Sequence, residues 1–390
     1  MPAASFILIT LRASRLFTPT EEVLAPAFQI DDGHIVHIGS ATSSPPPSGS
    51  RELNFPGGII VPGFLDLHIH GGVNVDVMNA SRADLARLGA FLATRGVTGY
   101  FPTTVAAPMD DTCRALARLA DAIEDRSPAA QACARPLGIH LEGPFLSHKR
   151  CGVHRPENLR PPTLLAFDQL WQAARGHVRM MTIAPELPGA LEVIAAAASK
   201  NVLVSIGHSD ADSAAARAAI ASGARHATHT FNAMRPLDHR EPGILGEALT
   251  NPALTADIIA DGIHVAPSIV KLFFQMKGND RSVLITDATS ATGMPNGRYK
   301  LGMMEVEVRD GRCTLDGKLA GSVLTLDTAV RNAMSFAGLS LQQAVCAATI
   351  NPARAARLAG GVLQVNGEAS LVVLNPEGTV LKTFCRGVEI

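Results

Sequence analysis

Val202–Thr230 reads VLVSIGHSDADSAAARAAIASGARHATHT. An apolar run, Val202–His208, has the length and branching of a buried strand and stops on a histidine. Asp210–Ser222 is alanine-rich and reads as a helix. His226–Thr230 is a second short strand, again carrying histidine. His208 and His229 are thus one strand, one helix and one further strand apart, so neighbouring strands can present both at one rim. The same unit recurs outward in both directions. Strands are expected at Ile59–His68, Val97–Thr103, Leu137–Glu142, Val178–Ala184, Ala256–His264 and Ser282–Asp287. Helix-like stretches separate most of them, among them Ser81–Thr94, Asp110–Glu124 and Ala190–Ser199. Eight such repeats over ~250 residues is the size of a TIM-like (β/α)8 barrel. A doubly wound sheet also alternates, but no strand here runs into G-x-G-x-x-G, and Gly57-Gly58 lies on the wrong side of its strand.

Both chain ends read differently. Phe6–Leu11, Phe28–Ile30 and Ile35–Ile38 are strand-like, and a loop rich in Ser and Pro follows at Ser43–Ser50. Ser370–Leu374 and Val380–Cys385 are again strand-like around a Pro376-Glu377-Gly378 turn. The expected organisation is a small β-sandwich domain made jointly by residues 1–58 and 360–390, around a catalytic barrel at 59–359.

Composition narrows the function. Of 390 residues, 34 are Lys or Arg and 35 Asp or Glu, a net charge of −1. Nucleic-acid binding leaves a basic footprint that is missing here. Aromatic residues are 4% of the chain, too few for a base-stacking surface. Six scattered cysteines without a C-x-x-C pair read as reduced thiols of a cytoplasmic protein. No basic, apolar leader is read at the N-terminus, and no apolar run is long enough to span a membrane.

The thirteen histidines concentrate where the strands end. His68 and His70, two apart on one strand, face the same way. Glu142 closes the third strand before Gly143-Pro144. His208 and His229 close the fifth and sixth, Asp261 and His264 the seventh, and Asp287 the eighth. These C-terminal ends converge on one face of a barrel. A lone carboxylate at Glu142 would be costly to bury, and a cation or an ion pair would relieve that cost. Asp287 has a second reading as a helix cap, since Ala-Thr-Ser-Ala follows. His140 and His226 are read as facing away from Glu142, as packing or supporting residues. His34, His37, His148, His177 and His239 are expected at the surface. Histidines with carboxylates suit Zn²⁺ or another first-row divalent ion, and such a site suits hydrolysis.

The segment Pro62-Gly63-Phe64-Leu65-Asp66-Leu67-His68-Ile69-His70-Gly71 resembles the first-strand signature of the amidohydrolase superfamily. Further segments occur in the order seen in its N-acetylglucosamine-6-phosphate deacetylase family. They are His140-Leu141-Glu142-Gly143-Pro144-Phe145, Gly152-Val153-His154, Gly207-His208-Ser209 and Ala227-Thr228-His229-Thr230-Phe231-Asn232-Ala233-Met234. Arg240-Glu241-Pro242-Gly243, Ala260-Asp261-Gly262-Ile263-His264, Thr286-Asp287-Ala288 and Leu319-Ala320-Gly321-Ser322 follow. The resemblance implies that Glu142, His208 and His229 are the main metal ligands, with His68 and His70 completing a second site in members that keep the H-x-H pair. It implies one or two divalent ions per subunit, zinc first, with iron, manganese or cobalt also suited to these ligands. It implies Asp287 as catalytic acid/base and His154 as the group polarising the amide carbonyl. Val153, Asn232, Ala233, Arg240 and His264 would hold the amino-sugar phosphate, Arg240 reaching across a homodimer. Leu319, Ala320 and Gly321 would line the acyl end. A phosphate monoester needs only one arginine fork and a few backbone amides, which leaves no mark on bulk composition. Cys151, just before Gly152, departs from the polar loop residue expected there.

Three rivals accompany this reading. The same chemistry on the galactosamine epimer differs by one hydroxyl. A ring opener of the dihydroorotase or hydantoinase kind, acting on a cyclic amide, would use a carbamylated lysine, and no lysine stands at these strand ends. A non-catalytic sugar-phosphate binder need not combine Glu142, His208, His229 and Asp287.

Overall fold

The structure, a computed structural model, describes residues 8–18, 21–40, 49–127, 130 and 132–390. The first two residues of the expected strand Phe6–Leu11 and all but the last two of the loop Ser43–Ser50 lie outside the described residues.

The chain opens with β1 (Ile9–Phe17), β2 (Glu22–Leu24), β3 (Pro26–Asp31), β4 (His34–Ser40) and β5 (Arg51–Pro62). It then enters the barrel at β6 (Phe64–Ile69), followed by a short hairpin, β7 (Gly71–Gly72) and β8 (Val75–Asp76). β9 (Val97–Pro102) carries a small flanking strand, β10 (Arg135–Pro136). Next come β11 (Ile139–Glu142), β12 (Val178–Ile183), β13 (Leu203–Ile206), β14 (His226–Ala227), β15 (Thr255–Ile259) and β16 (Ser282–Ile285). β6 pairs with β9, and β11 to β16 pair in sequence order, all parallel. Single bridges Thr103–His140 and Ile69–Ala288 join the two runs into a closed eight-stranded barrel. Helices follow the strands at the expected places, for example Arg82–Thr94, Ala190–Ser199 and Ser213–Ser222. Ser81 caps the first of these and Asp212 the third, which sets their starts.

The expected strand Ile59–His68 is two strands. Ile59–Pro62 belongs to β5, which pairs with β1 and with β21 (Leu371–Leu374) of the C-terminal segment. Gly63 is the joint, and a Cβ there would stand 2.2 Å from Thr98 Oγ1 on β9, so only glycine lets the chain pass. The two-residue strand period explains the arrangement. Ile60, Leu371 and Val373 face the core of the terminal sheet, with Leu11, Phe28, Ile35 and Phe384. Ile59, Val61, Val372 and Leu374 face the barrel core. One layer therefore serves two cores, and both chain ends are needed to build it.

An antiparallel meander was not anticipated from sequence: β17 (Gly297–Leu301), β18 (Met304–Arg309), β19 (Arg312–Leu315) and β20 (Lys318–Leu319). It is inserted between β16 and the helix Leu326–Ala337. Met304, Val306 and Val308 pack inward with Val105, Leu301 and Ala320. The last strands of the terminal sheet are β21, β22 (Val380–Cys385) and β23 (Val388–Glu389). Among the described residues, no helix is long and apolar enough to cross a membrane.

Candidate active site

Barrel strands end early, and their ends turn sharply. β13 stops at Ile206, β14 at Ala227 and β16 at Ile285. His208, His229 and Asp287 then take left-handed backbone, with φ of 46°, 30° and 50°. L-residues rarely adopt this conformation, and it clusters where function requires it. Here it turns all three side chains onto the rim. Asp261 and His264, expected to end a longer seventh strand, lie in the turns after β15 (Thr255–Ile259).

Glu142 is the centre of the cluster. Its Oε1 lies 3.2 Å from His208 Nε2, 3.1 Å from His229 Nε2 and 3.5 Å from His68 Nε2. Its Oε2 lies 3.3 Å from His70 Nε2 and 3.4 Å from His154 Nε2. Asp287 Oδ1 closes the far side, 3.1 Å from His70 and 3.5 Å from His68. All of these side chains are buried.

Hydrogen bonds behind the rings assign their free nitrogens. His70 and His208 give Nδ1–H to the carbonyls of Thr103 and Arg150, at 3.0 and 2.9 Å. In the neutral ring that leaves Nε2 as the inward lone pair. His154 is the opposite case. Its Nδ1 accepts the Ala106 N–H at 3.1 Å, so the neutral ring carries its proton on Nε2 and points a donor into the site. His154 stands near Glu142 and His208 in a group spaced for a metal, yet this tautomer makes it a hydrogen-bond donor.

Two donor sets fit a divalent ion. Ligands of one tetrahedral ion with bonds of ~2.0–2.1 Å stand about 3.3 Å apart. Glu142, His208 and His229 meet that spacing, with His208 and His229 Nε2 3.1 Å apart. His68, His70 and Asp287 form the second set, and Glu142 touches both. Electrostatics follows. Burial opposes charge on His70 and His229, but the facing carboxylates push their pKa values up to about 10 and about 9. Burial wins at His208, which falls to about 4 despite Glu142. Burial works to raise Glu142 and Asp287, but the surrounding imidazoles hold both below the usual carboxylate range.

The pocket above this cluster is lined by His70, Glu142, Val153, His154, His208, His229, Asn232, Ala233, His264, Asp287, Leu319 and Gly321. His68 is fully buried beneath it. Two expected lining residues are elsewhere. Ala320 is buried among Met304, Val306 and Leu301, because alternation along the segment turns it into the meander core. Arg240 is exposed on the loop before the helix Gly243–Thr250 and lines no part of this pocket within the chain. Gly152, Val105 and Leu301 line the pocket as well. Val105 follows a barrel strand and was legible by position, whereas Leu301 belongs to the unread meander. His140 is corrected. It shares the inward face of β11 with Glu142, as a two-residue spacing requires, and its ring lies 4.6 Å from that of His68.

A barrel with histidines and carboxylates at its C-terminal rim defines a class, and the model of the amidohydrolase family matches residues 59–390. The chain belongs to that family. N-acetylglucosamine-6-phosphate deacetylase of Bacillus subtilis is 38% identical over 368 residues, covering 92% of this chain and 91% of the relative. N-acetylgalactosamine-6-phosphate deacetylase of Escherichia coli O157:H7 is 38% identical over 380 residues, covering 97% and 98%. A mutant N-acetyl-D-glucosamine-6-phosphate deacetylase of Mycobacterium smegmatis, solved with N-acetyl-D-glucosamine-6-phosphate, is 37% identical. It superposes with a TM-score of 0.90, covering 99% of each chain.

Proposed function

We propose that this chain is a metal-dependent deacetylase that converts N-acetyl-D-glucosamine 6-phosphate to D-glucosamine 6-phosphate and acetate. The observation that carries this reading is Glu142, in contact with His68, His70, His154, His208 and His229, with Asp287 opposite it across the same pocket. A divalent ion held by Glu142, His208 and His229, with His68 and His70 available for a second, supplies Lewis-acid polarisation and a lowered water pKa. Zinc suits these ligands best, and iron, manganese or cobalt also fit them.

The chain's own residues do the rest. His154 directs its Nε2–H at the amide oxygen and stabilises the charge that develops there. Asp287, ionised and buried, takes the proton of the attacking water and delivers it to the departing nitrogen. Without that delivery an amine is a poor leaving group. His264 gives Nδ1–H to Asp261 at 2.7 Å, which fixes its ring at the pocket mouth for the sugar phosphate. Asn232 and Ala233 contribute backbone next to left-handed turns at Phe231 and Ala233, the geometry of a small anion nest. Leu319 and Gly321, with Val105 and Leu301, form the apolar wall for the acyl group. Arg240 is exposed and does not line its own pocket, which supports a role at a neighbouring subunit's phosphate in a homodimer.

Equal identity to a relative acting on the galactosamine epimer makes that substrate the second reading. A cyclic-amide substrate is disfavoured, since no lysine lines the pocket. Acetate release from both N-acetyl-hexosamine 6-phosphates and from unphosphorylated N-acetylglucosamine tests the proposal. Fast turnover of the glucosamine phosphate and hardly any of the free sugar is expected. Equal rates with and without phosphate would sink the phosphate assignment, and faster turnover of the galactosamine phosphate would move the chain to the second reading.

A further inference from the structure

The four rim histidines are held in two different ways. His70 and His208 are oriented through the ring, by Nδ1–H bonds to backbone carbonyls. Among the described residues, His68 and His229 have no hydrogen-bond partner at Nδ1. Each of these two is instead held at its backbone N–H by a buried carboxylate. Asp66 Oδ1 accepts from His68 at 3.3 Å, and Asp257 Oδ1 accepts from His229.

Asp257 grips the turn twice. Its side chain takes the His229 N–H, and its backbone carbonyl takes the Thr230 N–H at 2.9 Å. His229 sits in left-handed backbone, so some group must hold it there. Asp257 is itself held. Thr255 donates its hydroxyl to the Arg225 carbonyl at 3.1 Å, so its oxygen is left to accept the Nδ1–H of His226 at 2.6 Å. His226 Nε2 is hydrogen-bonded to Asp257 Oδ2 at 2.9 Å. Both residues are fully buried, and neither lines the pocket.

We propose that Asp257, anchored by His226, is the positioning residue for His229, replacing the ring hydrogen bond that His70 and His208 have and His229 lacks. This rests on His229 being a metal ligand, as proposed above. Supports of this kind set metal affinity, and their loss costs about 10- to 100-fold.

The test measures the metal dissociation constant by chelator competition, and the visible spectrum of the cobalt-loaded protein, for wild type, Asp257→Ala and Asp257→Asn. Asparagine keeps an oxygen for the His229 N–H, and its amide can donate to a neutral His226. Asp257→Ala is expected to bind metal about 10- to 100-fold more weakly with an altered cobalt spectrum. Asp257→Asn is expected to stay within about threefold of wild type, with the wild-type spectrum. Wild-type affinity in Asp257→Ala overturns the assignment, as does an asparagine variant as weak as the alanine one. Should Asp257→Ala fail to fold, Asp257→Val, which likewise has no oxygen for the His229 N–H, reports the same quantity, and unchanged affinity in it overturns the assignment. A wild-type protein that takes up no divalent ion would instead sink the ligand set on which both readings stand.

Discussion

At the scale of single residues, the site is a balance of charge. His70 and His229 hold protons at neutral pH only because Glu142 and Asp287 face them. A divalent ion must displace those protons, so metal affinity should climb with pH up to about 9 to 10. Loading the protein with zinc in weak buffer should release roughly one to two protons per ion, read with an indicator dye. No release would contradict the ligand set. Asp287→Asn should keep an ion at Glu142, His208 and His229 and still bind substrate, but lower kcat by a factor on the order of 10² to 10⁴, the usual range for a lost acid–base group. Full activity in that variant would remove Asp287 from the proton path. Glu142 and Asp287 were legible in the sequence because each closes an apolar run, and a carboxylate there needs a partner. His140 was read onto the wrong face, though the spacing of two from Glu142 already held the answer.

At the scale of elements, the helices were legible because caps and alanine-rich stretches are local signals. Ala190–Ser199 begins and ends as the sequence indicated. The meander had a local signal too, since Met304–Arg309 reads MEVEVR and alternates apolar and charged residues with the period of a half-buried strand. What no local signal gives is the surface of Val105, Leu301 and Ala320 that it packs on. The helix Pro267–Lys277 ends on a buried lysine, whose Nζ donates to the Asn251 carbonyl at 3.2 Å. Burial pushes Lys277 down from 10.5 to about 8. Below pH 8 the folded and unfolded chains both carry its proton. Between about 8 and 10.5 the unfolded chain keeps a proton that the folded chain has lost, so this group adds stability as pH rises through that window. Denaturant titrations at pH 7 and 10 should show a smaller gain on raising pH for Lys277→Met than for wild type. An identical gain would mean that Lys277 stays charged in the fold.

At the scale of the whole molecule, the barrel rim gathers residues from β6, β11 and the turns after β13, β14 and β16, and Arg240 stands outside that gathering. If it serves a second subunit, two inactive variants should rescue each other. Asp287→Asn mixed with Arg240→Ala, after dissociation and reassembly, creates one intact site in each mixed dimer. Random pairing then restores about a quarter of wild-type sites in a closed twofold dimer. No recovery in mixtures shown to exchange subunits would place Arg240's action, if any, within its own chain.

The sequence by itself determined the barrel, since eight apolar runs with helices between them leave few other ways to bury so much surface. It also determined which polar residues end those runs. Only the tertiary structure decided how they meet. The left-handed turns at His208, His229 and Asp287, the tautomer of His154 and the support of His229 by Asp257 depend on backbone groups that are far away in sequence. A hydrogen bond between distant residues has no local signature, because neither partner's neighbours reveal it. Burial gives such bonds their strength, and burial exists only once the barrel has closed.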